Sequence, residues 1–394
     1  MSSVSLAGGA STNSRGQRPL PPGAVSARTL SFSGVRESVE FTYANGLTER
    51  RTLLSWVGGQ NGCLWGGSPP LEWLRQHVGR MPGSYGHAAE HALAEVLGEI
   101  YADRLTSPDL AVRFALGGSE ACDMAVRLAR AATGREHICG YGYHGHNDSV
   151  SHLPAVAGIL PANYAAYTRF EWGDTESMTL AVSHCAAMIV EVPAVDDEHA
   201  ARFLGLCRLA CDRARALLIL DDVVLGARLG IAGSCSAYGI RPDLVVLGKA
   251  ISSIGLISAV VGRADVVNLL SGGVFYSGTF FGHPMTAGIA NETLRWLMAH
   301  QDEVYRPHGH LYTIGKTLQD GYNALGIRCI GQPERSAFQF DTETEWLAFS
   351  SAMIERGIVA HRPNFPTLLH TEQDVKQTLE AVERVLAVEA KVKA

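Results

Sequence analysis

The sequence has 394 residues, of which 46% are hydrophobic and 18% charged, with a formal net charge of −6. This composition suits a compact protein with a large core, and the negative balance argues against nucleic acid or an anionic membrane surface as a partner. No apolar run approaches the length needed to cross a bilayer. The eight cysteines are scattered without a CxxC pair, which predicts reduced thiols in a cytosol-like compartment.

The N-terminal residues differ in composition from the rest of the chain. The first 36 residues contain no acidic side chain and are rich in serine and glycine. Residues 1–20 are therefore expected to form a disordered tail, and the protein is expected to be cytoplasmic. An organelle transit peptide is the alternative interpretation of this composition.

From about residue 85 onward, helical and strand periodicities alternate, which predicts an α/β domain with a mostly parallel sheet flanked by helices. We expect this large domain to cover 61–289, and a smaller α+β domain to combine 21–60 with 290–394. Apolar periodicity predicts helices over 86–105, 121–132, 292–300 and from 371 onward. Short apolar runs predict strands over 112–116, 137–141, 186–192, 217–220, 244–247 and 257–262.

A glycine-rich turn joins the first of these strands to the following helix. Its sequence is Gly117-Gly-Ser-Glu120. Glycines allow close approach of the backbone, and the N-terminus of a helix attracts anions, so the turn predicts a phosphate site. A simple tight turn with a helix cap is the alternative.

A second polar segment, Tyr141-Gly-Tyr-His-Gly-His-Asn-Asp148, follows the next strand. His144, His146 and Asp148 have a spacing that zinc ligands can adopt. The further ligands that such a site needs are not evident, so we expect no metal.

Two buried strands end in charged residues. The run from Ala216 ends in Asp221-Asp222, and the run from Pro242 ends in Lys249. A lysine that forms a Schiff base with an aldehyde, beside an acid that keeps a pyridine nitrogen protonated, is the equipment of a pyridoxal phosphate (PLP) enzyme. An ordinary α/β strand followed by a solvated lysine is the alternative.

Together these segments resemble the class III aminotransferases, most closely the branch that contains glutamate-1-semialdehyde aminomutase. The resemblance implies the fold of type I PLP-dependent transferases, pyridoxal 5'-phosphate as cofactor, and a homodimer whose sites are shared across the interface. It also assigns roles to individual residues. Lys249 and Asp221 would be catalytic, and the cofactor would contact Gly118, Ser119, Tyr143, His144, Asp221, Lys249 and Thr279. In that assignment Tyr143 stacks on the ring, and Thr279 reaches the phosphate bound by the neighbouring subunit.

The sequence departs from the family pattern at several positions with possible substrate or support roles. Asp222 stands where the family has glutamate, and the proline that follows Glu191 is displaced by one residue. Arg28 and Arg362 are candidates to bind a substrate carboxylate. Gln60 replaces an aromatic residue of the aminomutases, which suggests a more polar pocket.

We therefore expect a PLP-dependent aminotransferase or aminomutase that acts on a small amino or oxo compound. An amino-acid racemase, epimerase or decarboxylase on the same scaffold is one alternative, because the same lysine and aspartate serve all of these reactions. A PLP-binding regulatory or partner subunit without turnover is another, and the intact Lys249, Asp221 and Tyr143 argue against it.

Overall fold

The computed structural model describes residues 18–57, 70–77, 86–151, 157–253 and 256–393. In this part of the chain the strands are β1 (Ala24–Ser33), β2 (Arg36–Tyr43), β3 (Thr48–Ser55), β4 (Leu110–Ala115), β5 (Ile138–Tyr141), β6 (Tyr167–Arg169), β7 (Ala187–Val190), β8 (Leu217–Asp221), β9 (Leu244–Leu247), β10 (Ser258–Arg263), β11 (Cys329–Ile330), β12 (Ala337–Phe338) and β13 (Ile358–Val359).

Helices separate most of these strands. They are α1 (Pro70–His77), α2 (Ala88–Tyr101), α3 (Gly118–Thr133), α4 (Pro161–Ala165), α5 (Thr175–Val182), α6 (Asp197–Ala214), α7 (Gly233–Tyr238), α8 (Ala264–Val267), α9 (Pro284–Ala299), α10 (Gln301–Val304), α11 (His310–Ala324), α12 (Glu343–Glu355) and α13 (Glu372–Lys393). None of the described helices is both long and apolar enough to cross a membrane.

The chain divides into two compact units, and the larger one covers Gly59–Thr313. Its described strands form one seven-stranded sheet in the order β4-β10-β9-β8-β7-β5-β6. β10 runs antiparallel to both β4 and β9, while the pairs from β9 to β6 are parallel. Every residue of β7, β8 and β9 is buried, as expected for parallel strands covered by helices on both faces. This is the expected α/β architecture with a mostly parallel mixed sheet.

The smaller unit joins Met1–Gly58 to Ile314–Ala394. β1, β2 and β3 form an antiparallel meander, and β13 adds to β3 in parallel. The apolar face of this sheet packs with α12 and α13 into a separate core that includes Trp56, Phe338 and Trp346. A core of its own is what makes this unit compact.

The boundary between the units differs from the predicted one. The division lies between Thr313 and Ile314 rather than after residue 289. The predicted helix over 292–300 begins earlier, at Pro284, where the His283 side chain accepts a hydrogen bond from the Met285 N–H. Nine residues of this helix are buried in the larger unit, where glycine at position 288 allows close approach of Trp73. The helix therefore belongs to the larger unit.

Candidate active site

A cavity of about 360 Å³ lies at the carboxyl ends of the strands of the larger sheet. Ligands of open α/β sheets bind at this edge, and the volume is in the range of small-molecule sites. The cavity brings together side chains or backbone that follow β4, β5, β8 and β9 in the chain. Six of the residues proposed from the sequence line it, namely Gly118, Ser119, Tyr143, His144, Asp221 and Lys249.

One wall of the cavity is the N-terminus of α3. The Glu120 carboxylate accepts hydrogen bonds from the N–H groups of Leu116 (3.1 Å) and Gly117 (3.0 Å), which fixes the turn before the helix. The first N–H groups of a helix have no acceptor within the helix and carry partial positive charge. A Cβ atom at Gly118 would lie 2.9 Å from Cγ1 of Val223, so this position requires glycine. The turn therefore places the N-terminal N–H groups of α3 at the cavity wall, where they could hold an anion.

The Ser119 hydroxyl has partners in the protein. Its oxygen accepts from the N–H groups of His146 (2.8 Å) and Asn147 (3.2 Å), and its proton is directed to Oδ1 of Asn147 at 3.2 Å. The hydroxyl thus holds the segment after β5 against α3. The backbone N–H of Ser119, in the first turn of α3, has no acceptor within the helix.

Asp221 supplies the negative charge of the site. It ends β8, is 4% exposed, and accepts a hydrogen bond at Oδ1 from the Val223 N–H at 3.2 Å. At Oδ2 it contacts Nδ1 of His144 at 2.7 Å and Sγ of Cys122 at 3.5 Å. Because an ionised carboxylate only accepts, both neighbours must donate their protons to it. Three donors thus fix the orientation of one buried carboxylate.

Cys122 was not among the residues singled out from the sequence. It lies in α3, lines the cavity and is buried. Burial, reinforced by the charge of Asp221, raises the pKa of the Cys122 thiol, so the thiol keeps the proton that it donates. Its position one helical turn after Ser119 is the signal that could have identified it, since both residues then lie on one face of the helix.

The hydrogen bonds also bear on the metal alternative. Ligand-type atoms of Cys122, His144 and Asp221 lie within 4.8 Å of one another. The contacts just described account for this cluster as a hydrogen-bonded group. His146 and Asp148, by contrast, are exposed, and Asp148 accepts from the Asn163 amide at 3.4 Å. In the described residues, the set His144, His146 and Asp148 is not assembled as a ligand group.

Lys249 follows β9 and lines the cavity. Its backbone has a φ of 44°, in the left-handed region that side chains other than glycine rarely adopt. Burial lowers the pKa of its amine, while the charges of Asp221 and Glu191 act in the opposite direction. A lysine of lowered pKa has a larger neutral fraction at neutral pH, which makes it a better nucleophile.

Tyr143 forms part of the cavity wall, and the residue as a whole is 55% exposed. Its backbone N–H donates to Oε2 of Glu191 at 3.0 Å, and Glu191 itself follows β7 at the same sheet edge. Gly142, with a φ of 119°, lets the two segments approach, since a Cβ atom there would lie 2.6 Å from Cβ of Glu191. The Glu191 carboxylate thus supports the Tyr143 segment by accepting a hydrogen bond from the Tyr143 backbone.

Asp222 points away from the cavity and is not among the described residues that line it. Its carboxylate accepts from the backbone N–H (3.0 Å) and the hydroxyl (2.5 Å) of Ser234. The Asp222 carboxylate therefore supports the first turn of α7. Burial raises the pKa of Asp222 from 3.8 to about 7, against the opposing effect of Ser234.

This shift predicts a pH-dependent stability. Because the native pKa of Asp222 exceeds its ordinary value, the stabilisation is present in full below about pH 4 and is lost as the pH rises through about 7. Urea unfolding of the wild type and Asp222→Asn from pH 5.5 to 8.5 tests it. We expect the difference in unfolding free energy to fall by up to about 1.4 kcal/mol per pH unit and to level above about pH 7. A difference that stays constant across this range would contradict the assignment.

The remaining predicted residues do not line the cavity of this chain in its described part. Thr279 is exposed in the loop before α9. Arg28 lies on β1 in the smaller unit and pairs with Glu40 at 2.6 Å. Arg362, in the same unit, pairs with Glu343 at 3.0 Å and stacks over Trp346. Gln60 lies outside the described residues.

The arrangement fits the cofactor that the sequence predicts. PLP presents an aldehyde, a pyridine nitrogen and a phosphate. The cavity offers an amine of lowered pKa in Lys249, a buried carboxylate in Asp221 and an anion-binding helix terminus at Gly118. Without a cationic partner, a buried carboxylate such as Asp221 would be costly, and a protonated ring nitrogen meets that need.

Comparison with known proteins agrees with this fit. The family described as aminotransferase class-III matches residues 81–325. The chain is 33% identical to glutamate-1-semialdehyde 2,1-aminomutase of Methanoculleus marisnigri over 310 residues, which cover 68% of this chain and 73% of the relative. It is 29% identical to the enzyme of that name from Nitrosomonas europaea, covering 93% of this chain and 94% of the relative.

Solved structures show the same fold. The chain superposes on an omega-transaminase from Sphaerobacter thermophilus with a TM-score of 0.75, covering 97% of this chain and 94% of the other at 23% sequence identity. At this identity the likeness concerns the fold alone, and it confirms the fold expected from the sequence.

Proposed function

Since this chain belongs to the class III aminotransferase family and is thus a PLP-dependent enzyme, we propose that it moves an amino group on a small amino or oxo compound, with Lys249 and Asp221 as catalytic residues. The observation that carries the proposal is that one cavity holds the Lys249 amine, the buried Asp221 carboxylate and the N-terminus of α3. These three groups match the three reactive ends of the cofactor.

In this proposal each residue has a definite task. PLP, when bound, supplies the electron sink that stabilises negative charge at the substrate Cα. Lys249 would hold the cofactor aldehyde, and its amine would carry a proton to or from the substrate Cα. Asp221 keeps the ring nitrogen protonated, and His144 and Cys122 hold Asp221 in place. Tyr143 covers the ring and limits the access of water.

The substrate is proposed as a class rather than a compound. The two relatives compared above are named for glutamate-1-semialdehyde. At position 60, however, this chain has glutamine where the resemblance places an aromatic residue. We therefore propose a small, polar amino or oxo compound.

A half-reaction tests the proposed function. The PLP-loaded protein is mixed with single amino compounds, without any oxo acceptor, and followed by visible absorption and mass spectrometry. Bleaching of the cofactor band with stoichiometric release of the matching oxo compound is the expected result. Inversion of the donor without an oxo product would indicate a racemase, and released CO₂ a decarboxylase. Bound PLP with no compound converted would indicate a binding subunit.

We also propose that the functional unit is a homodimer in which Thr279 of one copy completes the phosphate site of the other. Support comes from the loop over 272–283, which we call the Thr279 loop. In it Thr279 is exposed, and beside it Phe275 and Phe280 are 84% and 55% exposed. Large apolar side chains exposed together are typical of surfaces that contact another protein.

Removal of the Thr279 hydroxyl tests the shared site. Thr279→Ala is expected to weaken PLP binding roughly tenfold or more, since a hydrogen bond to a charged group contributes about 1.5–3 kcal/mol. Equilibrium titration with PLP measures it, with Ser277→Ala in the same loop as control. Mixing Thr279→Ala with Lys249→Ala subunits should restore one tight site per mixed dimer. Unchanged affinity, or no recovery on mixing, would contradict a site shared in this way.

For the compartment we propose the cytosol. The cysteines in the described part of the chain are all free and buried, at positions 122, 139, 185, 207, 211, 235 and 329. Unpaired thiols in this number are typical of a reducing compartment.

A further inference from the structure

The Thr279 loop has two faces. Tyr276 and Phe281 turn inward, with rings 6.1 Å apart and nearly parallel, and pack against the core of the larger sheet. Phe275, Thr279 and Phe280 turn outward and are exposed. The inward pair therefore anchors the loop, and the outward residues are free to contact a second copy.

The anchor is tied to the phosphate turn through Glu120. The Tyr276 hydroxyl donates to the backbone oxygen of Glu120 at 2.9 Å. The carboxylate of this same residue caps the N–H groups of Leu116 and Gly117, which shape the turn. Glu120 thus contacts the phosphate turn with its side chain and the Thr279 loop with its backbone.

Arg127, two turns further along α3, adds a second attachment. Its guanidinium donates to the backbone oxygen of Phe275 at 3.0 Å and lies 4.8 Å from the centre of the Tyr276 ring. It also lies 3.7 Å from the Asp123 carboxylate on the preceding turn. A cation over an aromatic ring adds attraction to the direct hydrogen bond. Both attachments of the loop therefore lead to the helix whose N-terminus forms the anion site.

From these contacts we infer that Tyr276 and Arg127 are positioning residues. They hold the Thr279 loop against α3 and so place Thr279 where it can contact the cofactor phosphate of the partner subunit. The inference rests on the shared site proposed above. Its consequence is that each subunit's own phosphate turn is coupled through Glu120 and Tyr276 to the residue that it offers to its partner. A symmetric dimer then has two such connections between its cofactor sites, one within each subunit.

A double-mutant cycle separates positioning from general stability. PLP affinity is measured for the wild type, Tyr276→Phe, Thr279→Ala and the double variant. Tyr276→Phe keeps the ring and removes the hydroxyl, which interacts with Glu120 and Asp123 of α3, so we expect affinity to fall about 2- to 12-fold. If Tyr276 acts through Thr279, it should have no further effect once Thr279 is alanine. Tyr164→Phe, at an exposed tyrosine on α4, is the matched control.

Arg127→Met gives an independent test, because it keeps the aliphatic stem and removes the guanidinium. It should also weaken PLP binding in the wild-type background and not in Thr279→Ala. Full additivity of both variants with Thr279→Ala, or no effect of either variant alone on PLP affinity, would overturn the positioning roles of Tyr276 and Arg127. The proposal of a shared site would remain intact. If Thr279→Ala itself binds PLP as tightly as the wild type, both the positioning roles and the shared site are refuted. The half-reaction with amino donors still tests the proposed function separately.

Discussion

Replacing Lys249 by alanine is expected to abolish amino transfer, with a loss of at least about a thousandfold in rate. The reason is that Lys249 has two proposed tasks, to hold the cofactor aldehyde and to move the Cα proton. Within the described residues, it is the lysine that lines the cavity, and burial lowers the pKa of its amine. The visible band of the protein-bound cofactor should disappear with the activity.

Three measurements make this prediction specific. The absorption spectrum after PLP addition reports the bond to Lys249, and single-turnover rates with an amino donor report proton transfer. Addition of methylamine should restore part of the rate, because a small amine can enter the space that the side chain leaves. Lys376→Ala, at an exposed position on α13, serves as control. A Lys249→Ala protein that keeps both the band and the activity would refute the assignment of the site.

Replacing Asp221 by asparagine is expected to reduce the rate about 100- to 1,000-fold, the usual cost of removing one preorganised electrostatic contact from a site. Asparagine preserves the shape but not the charge, so the ring nitrogen loses the partner that keeps its proton. The substitution also changes two hydrogen bonds of the site, because His144 and Cys122 donate to Oδ2 of the carboxylate. Cofactor affinity should fall together with the rate.

The same variant has a readout that does not depend on turnover. The charge of Asp221 raises the pKa of Lys249 against the effect of burial, so its removal should lower that pKa further. In the cofactor-free protein, labelling of Lys249 by an amine-selective reagent should then begin at a lower pH than in the wild type. Asp302→Asn, at an exposed position, is the control. An unchanged labelling profile and an unchanged rate would argue that Asp221 has no role in the site.

Much of the larger unit could be predicted from the sequence, because buried parallel strands are short apolar runs that end in polar residues. The run ending in Asp221 and the run before Lys249 are β8 and β9, and the polar side chains after each strand meet at one edge of the sheet. Family and cofactor were predicted from the same segments and are confirmed by the comparisons.

Other features depend on contacts that no local pattern encodes. Asp221 meets His144 and Cys122 across separations of 77 and 99 residues, and it is their contact in the fold that turns a thiol into a hydrogen-bond donor. The start of α9 was missed, although Pro284 at its first turn is a common helix signal. The β1–β3 meander was not predicted as strands, because its exposed positions interrupt the alternation of apolar and polar residues that indicates a strand.

The antiparallel strand β10 has a consequence for how this protein acquires its site. β4 joins the larger sheet by pairing with β10, and in the described residues this is its only pairing in the sheet. β4 and β10 are far apart in the chain, and such long-range pairings form late and slowly. During synthesis, the α3 turn and Lys249 thus emerge from the ribosome before the strand that brings them into one sheet. Until β10 has inserted between its neighbours, the α3 turn after β4 and Lys249 after β9 do not belong to one sheet, so pairing of this strand on both sides completes the strand framework behind the cavity.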